Sequence, residues 1–486
     1  MKTATTGWSW FRRGACVALS VFGWSTLVVF ALLAAWVLWW VALAAVLLHS
    51  RPGTDEPVIA IAFVLLAITG ALAWLVARFL ASARSVGLAL AVIVALATVG
   101  GTGFGLVFPD RTLALARQMA WGESDIKDYL RFPERAVGNA APVFNFKKDL
   151  SPELFSTIEY RSGGEVKQAD FEAFMEMTKT TSFIVIKDDA ILCEGYFNGY
   201  DRDSIVTSFS IAKSFTSALV GIAIDEGLIA SVNDPVTKYL PELKGRGLDG
   251  LTIRHLLMMS SGTQYVTDDE APIFAQLTGF TDDALSYYYP DLRGRALGVR
   301  PDGTRPGTYF NYNNHYPQLL GIVLERVTGQ RPAVYLQEKI WEPLGMEWPA
   351  SWSLDSEEHG FEMMQSGINA RAIDFAKFGR LFLENGNWNG NQIVSKGWVA
   401  ESTSPDPDDT RPWRSDVGWE EANGYYKYLW WGMPNADGTY DYVAQGHLGQ
   451  RIFVSPRKNA IVVRFGFTDE GVDNWAEVLA GVIAPL

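Results

Sequence analysis

The sequence predicts a mixed α/β (α+β) domain over residues 166–486, with an antiparallel sheet flanked by helices and a helical subdomain. In front of it stands an N-terminal region of three transmembrane helices. Three observations lead there. Residues 1–109 contain three long runs without a charged side chain. Strand-like stretches stand at both ends of the remainder, around 182–197 and 440–467, with helical periodicity between them. A serine and a lysine three residues apart, Ser210 and Lys213, open the first of those helices.

The membrane region comes first. Gly14–Leu48, Val58–Ala77 and Val86–Phe108 carry no charge, and a bilayer core needs about 20 apolar residues per span. The expected spans are about 17–48, 58–77 and 86–108. The first run is longer than a signal-peptide core, and two more follow it. It is too short for two spans of about 20 residues plus a turn. Lys2, Arg12 and Arg13 precede the first span, Arg78 and Arg84 separate the second and third, and only Arg51 separates the first and second. The positive-inside rule therefore sets the N-terminus in the cytoplasm and everything after Phe108 on the periplasmic or extracellular side of the cytoplasmic membrane. Trp36, Trp39 and Trp40 suit an interfacial belt, and membrane lipid is the partner expected here.

Charge divides the chain in the same place. Residues 1–109 hold six basic side chains against Asp55 and Glu56, a net of +4, which leaves −17 of the chain's −13 to the residues that follow. An acidic body lacks the basic footprint of a nucleic-acid binder. Cys16 lies in an apolar run and Cys193 in a predicted strand, with no CxxC and no zinc spacing, so neither a disulfide nor a metal or other cofactor is expected.

Residues 110–165, with Pro133, Pro142 and Pro152, read as a linker. A short helix is expected at Gln168–Lys179. Two strands, Ser182–Lys187 and Ala190–Phe197, follow around an Asp188-Asp189 turn. The helix opened by Ser210 continues through Phe215, Ala218, Leu219, Ile222 and Ala223. Leu251–Met259 and Tyr316–Val327 read as helices stopped by Gly262 and Gly329, and Ala372–Leu383 as another, followed by Asn-Gly turns. The end is strand-rich, at Tyr440–Gln445, Arg451–Val454 and Ala460–Phe467, with an amphipathic helix from about Asp473 to Ile483. Strands at both ends predict one sheet completed by the C-terminus.

Ser210 and Lys213 share a face of the first helical turn, so the amine can reach the hydroxyl. A serine is a weak nucleophile until a neighbour takes its proton. The helix N-terminus adds N–H groups and partial positive charge beside a developing oxyanion. Alone, a Ser-x-x-Lys is also what a helix cap followed by a solvated lysine looks like. Two further patterns change that: Pro306-Gly-Thr-Tyr-Phe-Asn-Tyr312-Asn-Asn314, and Gln445-Gly-His447-Leu-Gly449-Gln450 between late strands.

In order and spacing, Ser-x-x-Lys, Tyr-x-Asn and His-x-Gly resemble the active-site elements of the serine β-lactamase and penicillin-binding-protein superfamily, in its class C β-lactamase-related branch. Leu251–Gly262, Asp374–Gly390, Tyr428–Gly432 and Gly446–Val454 are similar to blocks of its 6-aminohexanoate-dimer hydrolase and carboxylesterase members. The resemblance spans about residues 165–486. It implies Ser210 as nucleophile, Lys213 as its activating partner, either kept partly deprotonated by burial or placing its charge against the seryl oxygen, and Tyr312 as proton relay, lowered toward neutrality by cations such as Lys213. It further implies that Asn314 holds Lys213 and the substrate amide, that Gly449 lets backbone approach substrate, and that the N–H groups of Ser210 and Gln450 form the oxyanion hole. His447 stands where β-lactamases carry a lysine. Histidine is mostly neutral near pH 7, so an ester or amide without a β-lactam's carboxylate fits as well. The pocket walls are expected chiefly from about Ser261 to Pro306, and Tyr265 and Asp268-Asp269-Glu270 in a solvated loop. Ser208 and Ser214 read as packing or cap residues, and His255 and His315 as locally satisfied. The expectation is a membrane-anchored serine hydrolase cleaving an ester or amide of a small or peptide-like molecule. The alternative is a non-catalytic or single-turnover sensor of cell-wall fragments or β-lactams with the same fold.

Overall fold

The computed structural model describes residues 109–267 and 281–486. The three expected spans and Cys16 lie outside these residues, as does Asp268-Asp269-Glu270. Among the described residues no helix is long and apolar enough to cross a membrane. The chain divides between Ala116 and Arg117, and the second unit carries the chemistry.

Its main sheet has eight strands among the described residues: β1 Lys147–Lys148, β2 Thr180–Lys187, β3 Ala190–Tyr196, β4 Tyr425–Lys427, β5 Trp430–Pro434, β6 Tyr440–Gly446, β7 Gln450–Ser455 and β8 Ala460–Gly466. They are ordered β4-β5-β6-β7-β8-β2-β3-β1, antiparallel except for β1 on β3. The C-terminal β8 pairs with the early β2, so the two strand-rich ends close one sheet as the sequence predicts. β2 reads Thr-Thr-Ser-Phe-Ile-Val-Ile, β-branched and aromatic and buried on both faces, which suits a central strand. Asp188 and Asp189 turn the β2–β3 hairpin with φ of 50° and 62°, the left-handed pair a two-residue turn requires.

Four helices frame the site: α1 Ile211–Asp225, α2 His315–Thr328, α3 Ala372–Leu383 and α4 Trp475–Ile483. α1 is buried on every side from Ile211 to Ala223, as befits a central helix. α3 lies on the sheet, where a Cβ at Gly379 would come within 2.9 Å of Ile452 and Ile461, so glycine sets that approach. Gly329 ends α2 at φ 70° and donates to the Glu325 carbonyl, the stop the sequence carries.

Two expectations are corrected. Residues 117–165 are woven into the domain: Glu134–Val137 pairs with Ala350–Ser353, and Lys147–Lys148 with Ala190–Ile191. Exposed, polar two- and four-residue edge strands give too little alternation to be read as strands from sequence. Gln168–Asp170 is strand, paired with Thr157–Glu159 across a Gly163-Gly164 turn. The helix begins at Phe171, where the Asp170 carboxylate accepts from the Glu172 and Ala173 N–H groups.

A second sheet orders Glu134–Val137, Ala350–Ser353, Ile368–Ala370 and Val206–Thr207. The sequence gives no hint of it. It delivers the chain into Ser210.

Candidate active site

Ser208 extends the pairing of Val206–Thr207: its N–H donates to the Ile368 carbonyl at 2.8 Å, and its Oγ accepts from the Ile368 N–H at 3.1 Å. Phe209 then takes φ 43°, a left-handed backbone that a bulky residue rarely adopts. Burial and an edge-on contact with the His447 ring, 5.5 Å between centroids, hold it there. The turn ends in α1, with the Lys213 N–H donating to the Ser210 carbonyl at 3.0 Å. Ser210 sits at the helix start, but its hydroxyl makes no capping bond.

That hydroxyl is instead bonded to Lys213, whose Nζ donates to Oγ at 2.7 Å and to the Gln365 carbonyl at 3.0 Å. Lys213 is fully buried, and desolvation lowers its pKa to about 7 against the opposing pull of Asp283 and Asp416. A large fraction of this lysine is therefore a neutral amine at pH 7, able to accept the Ser210 proton.

Tyr312 lies beside the pair, its ring centroid 4.7 Å from Lys213 Nζ and its N–H donating to Ser415 Oγ at 2.8 Å. Burial pushes the phenol well above its usual range. A contact with Ser210 and the charge of Arg451 work against that, and Asp416 and Asp283 work with it. The sequence expectation of a tyrosine lowered toward neutrality is corrected. Enclosure and two carboxylates keep it protonated, and the depressed group is the lysine.

The remaining expected residues divide. Asn314 borders the same cavity as Ser210, but its Nδ2 donates to Tyr265 Oη at 3.0 Å and to Asp283 Oδ1 at 3.2 Å. The second partner of Lys213 is the Gln365 carbonyl, so Asn314 does not hold the lysine. Tyr265 is buried and donates to Asp283 at 2.6 Å, which removes it from any solvated loop. His447 borders both cavities described below.

Gly449 and Gln450 serve the turn behind the site. Leu448 and Gly449 have φ of 60° and 77°, and the Gln450 N–H closes the turn on the His447 carbonyl. That N–H is committed, so it does not form an oxyanion hole. A Cβ at Gly449 would lie 2.2 Å from Arg464 Nη1, so this glycine makes room for a buried guanidinium and not for substrate. Arg464 donates to the Leu448 and Gly449 carbonyls at 2.8 and 2.9 Å and fixes the turn from behind.

The glycine that faces the nucleophile is Gly446. A Cβ there would sit 2.4 Å from the Ser208 carbonyl and 3.2 Å from Phe209 Cβ. Gly446→Ala should push β6 off the Ser208–Ser210 turn. We expect a stability loss of about 1–3 kcal/mol in urea unfolding. We expect kcat to fall by about a hundredfold, the effect of a reacting group displaced by an ångström. Unchanged kcat would show that the turn tolerates the shift.

Two cavities meet at Ser210, Tyr312 and His447. One, about 900 Å³, is walled by Gln118–Ser124 segments and by Thr281–Tyr288 residues such as Asp283 and Tyr287. The other, about 630 Å³, is walled by Asp416, Trp419, Trp431, Arg451 and the 469–477 segment. The expected 261–306 stretch therefore supplies part of one wall. Other parts come from residues 118–124, expected in a linker, from the Phe209-Ser210 and Tyr312–Asn314 motifs, and from the C-terminal third. Sequence reading also missed Gln365, Asp283, Asp416 and Arg451, which meet Ser210 only through long-range folding.

Ser214 donates to the Leu429 carbonyl at 2.8 Å, a packing role as expected, and His255 Nδ1 accepts from the Thr252 N–H at 3.1 Å, a local one as expected. His315 is corrected. Both its ring nitrogens are buried without a protein partner among the described residues, and burial lowers its pKa to about 3.

Against known proteins, the family model for Beta-lactamase matches residues 168–474. A 6-aminohexanoate-dimer hydrolase of Paenarthrobacter ureafaciens is 28% identical over 331 residues, covering 65% of this chain and 79% of that protein. Esterase EstB of Burkholderia gladioli is 32% identical over 150 residues, 30% of this chain and 38% of the esterase. A solved structure from Bacillus anthracis, provisionally described as a 6-aminohexanoate-dimer hydrolase, superposes with a TM-score of 0.62 at 24% identity. It covers 75% of this chain and 92% of its own, a likeness of fold.

Proposed function

The chain belongs to the beta-lactamase family and is a serine hydrolase, and from that premise we propose that it cleaves an ester or amide through an acyl-enzyme on Ser210. The observation that carries this is the 2.7 Å bond between Ser210 Oγ and a buried lysine with a pKa of about 7. In the neutral form of Lys213 the bond reverses, and the serine O–H donates to the amine. As Oγ attacks the carbonyl carbon, its proton passes to Lys213. The carbonyl oxygen becomes an oxyanion, received by the backbone N–H of Ser210 at the helix start. Tyr312, protonated, donates to the departing alcohol or amine and recovers a proton from Lys213. Water then attacks the acyl carbon, the same groups run the protons backwards, and Ser210 leaves.

The names of two relatives, a dimer hydrolase and an esterase, support amide and ester substrates. The uncharged runs at 14–48, 58–77 and 86–108 support anchoring in membrane lipid. The distribution of basic residues supports a domain on the periplasmic or extracellular side. Mixing the protein with a chromogenic short-chain ester should give a burst of one leaving group per protein, followed by steady turnover. Peptide mass mapping of the quenched reaction should find the acyl group on Ser210. Acylation at another residue would overturn the assignment. Protease added to spheroplasts should digest the domain, and protection in intact spheroplasts would reverse the orientation.

A further inference from the structure

The larger of the two cavities at Ser210 is built against the stretch of chain that follows the last uncharged run. That run ends at Phe108, and the helix Pro109–Trp121 begins at the next residue. At a rise of about 1.5 Å per residue, Gln118 stands about 14 Å along this helix from Pro109. Gln118, Gly122, Glu123 and Ser124 then line the cavity that holds Ser210. The segment is fastened there. Arg117 Nη1 donates to the Asp355 carbonyl at 2.8 Å and to the Tyr288 carbonyl at 3.1 Å. In return Tyr288 Oη donates to the Gly122 carbonyl and Tyr287 Oη to Asp128, each at 2.7 Å. Both tyrosines line the same cavity. The same segment carries the two most exposed large apolar side chains among the described residues, Met119 at 80% and Leu130 at 72%. Single apolar side chains on a surface are ordinary. Two in one short segment, directly after a predicted span, suit the boundary between lipid headgroups and acyl chains.

We propose that this cavity opens onto the membrane surface, and that the substrate is an amphiphile resident in that membrane, whose ester or amide reaches Ser210 from the lipid side. The inference rests on the acyl-enzyme and membrane-anchor readings above, and it supplies the substrate class they leave open. A headgroup layer adds about 5–7 Å on each side of the hydrocarbon core. A wall that starts about 14 Å along a helix from the end of the last run therefore stands just outside that layer, and a tilted helix brings it closer. The cavity, about 900 Å³, is at the upper end of ordinary ligand sites, and Phe209, Ala284, Tyr287, Tyr288 and Tyr312 give it apolar surface. An anchor alone would leave the domain free to turn on its tether. Met119 and Leu130, set into lipid, decide which side of it meets the bilayer.

The test uses the full chain reconstituted in phosphatidylcholine vesicles and one aryl ester in three forms. The first is free in solution, the second is joined to a dialkyl lipid by a short linker, and the third is joined by a long polyethylene glycol linker. The long linker exceeds the width of the domain, about 50 Å for a chain of this size. The short-linked ester should be hydrolysed at least as fast as the long-linked one. Met119→Glu combined with Leu130→Glu should slow the short-linked ester by about tenfold, the equilibrium worth of one large apolar side chain kept out of water. Turnover of the free ester should be unchanged, which controls for folding. Faster hydrolysis of the long-linked ester, or turnover of the free ester alone, would place the cavity away from the bilayer and overturn the proposal. So would a double variant that loses nothing on the short-linked ester, or one that slows free and linked esters equally. The readings underneath fail separately. If the free ester does not acylate Ser210, or if alkaline carbonate strips the chain from the vesicles, the reading concerned falls and this inference falls with it.

Discussion

Ser210→Ala is expected to lower turnover of any accepted ester or amide by about 10⁴- to 10⁶-fold, the usual result of removing a covalent nucleophile. The fold should be untouched. An alanine at a helix N-cap normally costs about 1 kcal/mol because a capping bond is lost, but the Ser210 hydroxyl makes none. The thermal midpoint should therefore stay near that of the native protein while activity disappears. Neighbouring serines cannot stand in. Ser208 Oγ accepts from the Ile368 N–H, and Ser214 donates to the Leu429 carbonyl, both buried. Steady-state rates with a chromogenic ester would check this, and a variant within tenfold of native would move the nucleophile elsewhere.

Lys213→Met should cost about 10²–10⁴ in kcat/KM, the usual worth of a positioned general base. It should also remove a feature of the pH profile. In the native protein the amine must be neutral to accept the Ser210 proton, so kcat/KM should rise about tenfold per pH unit below about 7 and level off above it. The stability profile gives a second readout. The folded pKa lies below the unfolded value of 10.5, so between about 7 and 10.5 the unfolded chain binds more protons. Native stability contributed by this lysine therefore rises with pH across that window. Lys213→Met should flatten the rise. Urea midpoints at pH 7 and pH 9.5 for both proteins would measure it. An unchanged slope together with an unchanged rate profile would remove Lys213 from the mechanism.

Much of this was legible in the chain because it is local. A serine and a lysine one helical turn apart must share a face whatever surrounds them. The β2 run, the Asp188-Asp189 turn and the Gly329 stop likewise follow from side-chain period and backbone sterics. Short polar strands at 134–137 and 147–148 left no such signal, because their pairing is decided by partners some 40 to 220 residues away.

At the site the boundary is sharper. The sequence by itself determined the nucleophile helix, the order of the three motifs and the cation missing at His447. Tertiary structure alone decided which groups carry charge and which backbone atoms are committed. Lys213 is pushed toward neutrality because the folded chain encloses it, although Asp283 and Asp416, 70 and 203 residues along, pull the other way. Gln450 looks like a donor in the motif, but its N–H is consumed by a turn whose left-handed residues are braced from the neighbouring strand by Arg464. Gly446 and Gly449 are both turn glycines in the text, and only the packing tells which of them faces the nucleophile. Periodicity is written in neighbours along the chain. Desolvation and hydrogen-bond commitment depend on everything within a few ångströms, and those neighbours are chosen by the fold.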